Sequence, residues 1–130
     1  MKRREAREKA VQALFHITLN DTGIHEALDN VNAQQTSEPF IKELLTTTIE
    51  HRDTIDALIK NYLIHWQFDR LSQMDRTIMR LAICEICYFG DIPAGVSINE
   101  AVELAKKFSD HDAHKFINGI LSKVANNHHE

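Results

Sequence analysis

Apolar residues recur at helical spacing along the whole chain, and no segment alternates apolar and polar positions long enough to make a half-buried strand. The first helix is expected from about Arg3 to Leu19, with Ala10, Val11, Leu14, Phe15 and Thr18 on one stripe and the basic side chains ahead of it. Asn20, Asp21, Thr22 and Gly23 read as a stop and turn, and Ile24, Ala27, Leu28 and Val31 mark a short second helix before a polar loop at 32–36. Ser37 is placed to cap a third helix, with Pro39 in its first turn, where a missing amide hydrogen costs little. Phe40, Leu44, Leu45, Thr48 and Ile49 form its apolar face. The polar run Glu50–Asp53 predicts a break before a fourth helix bearing Ile55, Leu58, Ile59 and Leu63.

Ser72 and Asp75 have the spacing of a capping pair for a fifth helix. Between Ile78 and Phe89 only Arg80 and Glu85 are charged, so this helix is apolar nearly all round and should sit at the centre of the fold. Gly90 and Pro93 end it. Ser97 with Glu100 reads as a capping box for a sixth helix whose stripe is Ile98, Ala101, Val102, Ala105 and Phe108. Asp110 or Asp112 would cap the last helix, with Phe116, Ile117, Ile120, Leu121 and Val124 facing inward. The expectation is an all-α single compact domain, residues 1–130, of six or seven helices. It has no repeat, linker or low-complexity segment.

Length and composition agree. A chain of 130 residues buries roughly two thirds of its unfolded surface in one core. Four Gly and two Pro leave few sharp turns, which disfavours disorder and many-stranded β folds. Two cysteines make no disulfide framework, the basic start leads into an amphipathic stretch rather than a signal peptide, and no run is apolar enough to span a bilayer. These features predict a cytoplasmic protein with reduced thiols and no membrane contact. The formal charge of −4 argues against a general nucleic-acid coat. Its distribution changes the picture: Lys2, Arg3, Arg4, Arg7 and Lys9 outnumber Glu5 and Glu8, so an acidic body carries one basic end, a candidate anion site.

Other chemistry is thin. Cys84 and Cys87 form a CxxC with no second pair to complete a zinc site, and their apolar helix favours packing. His111 and His114, flanked by Asp110 and Asp112, lack a third distant ligand and read more simply as caps and solvated groups. His128 and His129 are terminal, either native residues or a tag remnant. No phosphate loop, nucleophile elbow or carboxylate pair is visible, so neither an enzyme, a metal site nor a cofactor is expected. Trp66 and Phe68 are aromatics of a connection, of the kind that pin a loop to the core. On a helix Arg3 and Arg7 lie one turn apart with Arg4 beside them, so their guanidinium groups could fork onto successive phosphates; an ordinary charged terminus is the other reading. Phe116, near Lys115 and Asn118, is a candidate base-stacking platform, or simply core.

The segments RREAREKAVQALF, WQFDRLSQMDRTIMRLAICEI and IPAGVSINEAVELAKKFSDHDAHKFINGILSKV resemble the NusB family of bacterial transcription antitermination proteins over nearly the whole chain except residues 20–36. The resemblance implies two small helical bundles and binding of the boxA element of nascent RNA, particularly of ribosomal RNA operons. Binding would be joint with NusE, a small-subunit ribosomal protein, within RNA polymerase complexes containing NusA and NusG, and no reaction would be catalysed. Position by position it places Arg3, Arg4 and Arg7 on the RNA backbone, and Asp112 and Phe116 at the RNA surface with Lys115 and Asn118. It places Phe15 and Asp75 at the contact with NusE. Glu5 stands among the bases and lowers their local charge, which would make RNA binding more dependent on NusE. A competing expectation is a protein-interaction scaffold that binds the ribosomal protein without touching RNA. NusB-like domains also precede some ribosomal RNA cytosine methyltransferases, but no cofactor-binding domain follows in this sequence. The face that receives NusE could also pair two copies of the free protein.

Overall fold

A computed structural model of the chain describes residues 2–31, 39–63 and 67–127. Among them are seven α-helices and no strand: α1 (Arg3–Asn20), α2 (Ile24–Asn30), α3 (Pro39–Glu50), α4 (Arg52–Tyr62), α5 (Gln73–Tyr88), α6 (Ala94–Phe108) and α7 (Ala113–Asn127). A 3-10 turn at Phe68–Arg70 leads into α5. The expected cap at Ser37, the loop at 32–36, Trp66, His128 and His129 lie outside the described residues.

Helix contacts sort the elements into two groups. One is α1, α2 and α3; the other is α4, α5, α6 and α7, and α5 also packs on α1 and α3. The reason is legible in α5: every residue from Thr77 to Glu85 is buried, so this helix has no solvent face over more than two turns and needs neighbours on all sides. Ile78, Met79 and Ile83 on it meet Leu44, Leu45, Ile55, Ile59, Ile117 and Leu121 in one continuous core.

Local chemistry sets the element ends. Ser72 caps α5, its Oγ accepting from the Asp75 amide at 3.0 Å. The break between α3 and α4 narrows to His51 alone, whose ring stacks on Tyr88 with centroids 4.2 Å apart. α1 ends at Asp21 in the left-handed region (φ 53°), its amide donating to the Ile17 carbonyl.

Three expectations are corrected. Ser97 and Glu100 do not cap α6: the helix starts four residues earlier, after Pro93, and both side chains serve tertiary contacts instead. On α3 the inward face includes Ile41, which is fully buried, while Ile49, expected on that face, is exposed; α3 packs on α1 and α5 through Phe40, Ile41, Leu44, Leu45 and Thr48. At the start of α7 it is the backbone carbonyls of Asp110 and Asp112 that accept, from the Ala113 and Lys115 amides.

Candidate functional site

The basic start of α1 is not three free arginines. Arg7 is buried and forks onto Glu85 of α5, Nε to Oε2 and Nη2 to Oε1, both at 2.8 Å. Ser97 of α6 donates to the same carboxylate at 2.8 Å, so one acid joins three helices. The spacing argument that set Arg7 beside Arg3 for successive phosphates is therefore corrected: Arg7 holds the helix in place and its guanidinium is inside. Arg4 is exposed, yet it forks onto Glu100, with Nε to Oε1 at 3.1 Å and Nη2 to Oε2 at 2.8 Å. This contact raises the Arg4 pKa and holds the Glu100 carboxyl below its ordinary range. Arg3 is exposed and lies over the Phe40 ring, 4.0 Å from its centroid.

The remaining candidates gather elsewhere. Asp75, Asp112 and Phe116 line one groove of about 490 Å³, together with Arg70, Leu71, Ser72, Asp110 and Ala113. It forms where the start of α5 meets the turn between α6 and α7. Asp75 is fixed there by accepting from the Ser109 hydroxyl. Phe116 is half-buried, packed against the core on one side and open to the groove on the other. Lys115 and Asn118 are exposed on α7 nearby, and Lys115 reaches Asp112 at 3.6 Å. Phe15, half-buried, lies outside this groove, about 16 Å along α1 from Arg4 at 1.5 Å per residue.

From Glu100, which holds Arg4, to Ser109, which holds Asp75, α6 spans about 13 Å. The arginine end and the groove are thus both built on α6, with separate lining residues. Sequence reasoning missed Arg70, Leu71 and Asp110 as groove lining, and Glu85, Ser97 and Glu100 as the groups that set the arginines. Their signal is weak: a lone Glu85 in an apolar helix was the visible clue that some buried cation would meet it. Among the described residues no cluster of His, Cys, Asp or Glu could hold a metal ion, and no helix is long and apolar enough to cross a membrane. Cys84 is buried, and burial pushes its thiol up to about 12.

Comparison with known proteins extends the geometry. The NusB family model matches residues 4–126. The transcription antitermination protein NusB of Bacillus subtilis is 47% identical over 124 residues, covering 95% of each chain. That of Geobacillus kaustophilus is also 47% identical over 124 residues, covering 95% of each chain. Among solved structures, T. maritima NusB superposes with a TM-score of 0.89 at 33% identity, over 98% of this chain and 93% of that one. A chain from a crystal structure of the antitermination factors NusB and NusE in complex with dsRNA gives 0.83 at 27% identity, over 97% of both. With the family model matching residues 4–126, relatives 47% identical over 95% of the chain and a solved NusB superposing over 98% of it, this chain belongs to the NusB family.

Proposed function

We propose that this chain works as a single NusB-like RNA-binding helical domain in transcription antitermination, binding boxA-type RNA jointly with NusE and catalysing no reaction of its own. The observation that carries the reading is the groove in which Asp75, a NusE candidate, and Asp112 and Phe116, RNA candidates, lie together at the end of α6, with Arg4 against the middle of the same helix. The likeness to a chain solved with NusE and dsRNA supports it. In this arrangement Arg3 and Arg4 meet backbone phosphates, Phe116 offers a ring to an unpaired base, and Lys115 and Asn118 add polar contacts. Arg7 contributes by holding α1 rather than by touching RNA. Asp75 and Phe15 face NusE. The assembled pair would join RNA polymerase with NusA and NusG on ribosomal RNA transcripts in the cytoplasm, and the NusE face would be free to form a homodimer when NusE is absent.

A short boxA-type RNA titrated with and without NusE at two salt concentrations tests this. Phosphate contacts through Arg3 and Arg4 predict that log affinity falls with log salt at a slope between about −0.7, if Arg4 only exchanges Glu100 for a phosphate, and about −1.4, from roughly 0.7 per contact on a single strand. A slope near zero would instead favour the scaffold reading, in which NusE is bound and RNA is not touched. That reading draws on the internal pairing of Arg4 and Arg7.

A further inference from the structure

The Arg4–Glu100 contact has the side-on, two-bond geometry with which a guanidinium grips a phosphate. Its two partners are unequally held. The Arg4 side chain is 60% exposed and Glu100 16%, so the acid is seated on α6 and the arginine is the member able to leave. Glu100 also lies 3.8 Å from Arg7 Nη1, a cation that stays behind when Arg4 swings out. The adjoining groove between α1 and α6, about 280 Å³, is lined by Arg4, Glu8, Glu100, Glu103, Lys106 and Lys107. Each cation in it faces its own acid: Lys107 meets Glu8 at 2.8 Å and Lys106 meets Glu103 at 3.3 Å. In this state the face offers a polyanion no net positive charge.

We propose that Glu100 is an internal stand-in for a phosphate, holding Arg4 closed until an RNA backbone displaces it, so that Glu100 sets how readily this end of the molecule accepts RNA. The inference rests on the proposed RNA function and adds a regulating residue to that site. Arg4 keeps the Glu100 carboxyl below its ordinary range, so the acid stays ionised at neutral pH and competes with a phosphate for the arginine. Because Arg4 exchanges one anion for another, its contact adds little to the salt dependence of binding in the native chain.

Fluorescence anisotropy with a labelled, short boxA-type single-stranded RNA, in the presence of NusE and at about 50 and 200 mM salt, tests the inference. Four variants are compared with the native chain: Glu100→Gln, Arg4→Gln, the double variant, and Glu103→Gln as a charge control in the same groove. Glu100→Gln should tighten binding about two- to fivefold at the lower salt and steepen the salt slope by about 0.7. The gain should vanish in the Arg4→Gln background, and Glu103→Gln should give no comparable gain. Unchanged or weaker binding by Glu100→Gln, while Arg4→Gln still weakens it, overturns the gate and leaves the RNA function standing. An equal gain from Glu103→Gln, or one that persists without Arg4, reduces the effect to general charge and overturns the gate as well. If the native chain binds no RNA with or without NusE, the underlying function fails and the gate with it.

Discussion

Removing either partner of the Arg7–Glu85 pair leaves a charge with almost no solvent to receive it, since the two side chains are 7% and 3% exposed. Arg7→Met should therefore cost about 3–5 kcal/mol in urea denaturation, and adding Glu85→Leu should recover much of that loss, because a well-packed apolar pair replaces the stranded acid. Cys84 carries a second residue-scale expectation. Its buried thiol keeps its proton up to about 12, whereas the unfolded thiol gives it up near 9.0. Between those values the native state binds more protons than the unfolded one, so stability falls as pH rises, by at most about 1.4 kcal/mol per unit for this group. Stability measured from pH 8 to 11 should fall less steeply in Cys84→Ala. The residue scale is also where the sequence was hardest to read. Helical spacing put Arg3, Arg4 and Arg7 together, but which of them turns inward depends on Glu85, 78 residues away from Arg7, and no local pattern encodes that.

Among the elements, α5 shows how capping and burial cooperate. Ser72→Ala removes the acceptor for the Asp75 amide and should lower stability by about 1 kcal/mol, seen as a lower melting temperature with unchanged helical circular dichroism. This cap and the all-round apolar stretch after it were both legible, because each is a matter of neighbouring residues. The start of α6 was not. Ser97 and Glu100 have the spacing of a capping box, yet Pro93, with its fixed φ, opens the helix a turn earlier, and the two polar side chains face Glu85 and Arg4. A motif defined by spacing does not distinguish a cap from two tertiary contacts one turn apart. The polar run after α3 did mark a real break, since His51 interrupts the helices where Glu50–Asp53 offered no apolar face.

Across the whole molecule, the start of α1 lies against the middle of α6, at Glu100, and the α5–α7 groove lies at the end of α6, beside Ser109. The groove was only partly legible: Phe116 was a candidate from its neighbours and from family resemblance, the roles of Asp75 and Asp112 came from the resemblance, and Arg70, Leu71 and Asp110 join them through folding alone. Phe116→Ala should weaken RNA binding by about 1–3 kcal/mol if its open face stacks on a base, with the melting profile as the control for folding. Unchanged affinity would return the ring to a packing role.

The carboxylate shared by three helices also bears on the order of assembly. Its bond with Ser97 spans 12 residues and its bond with Arg7 spans 78, so the first can close within a helical hairpin and the second must wait for the chain's leading helix to dock. Stopped-flow kinetics should then show Arg7→Met accelerating unfolding with refolding nearly unchanged, and Ser97→Ala slowing refolding, the signatures of late and early contacts around a single atom group.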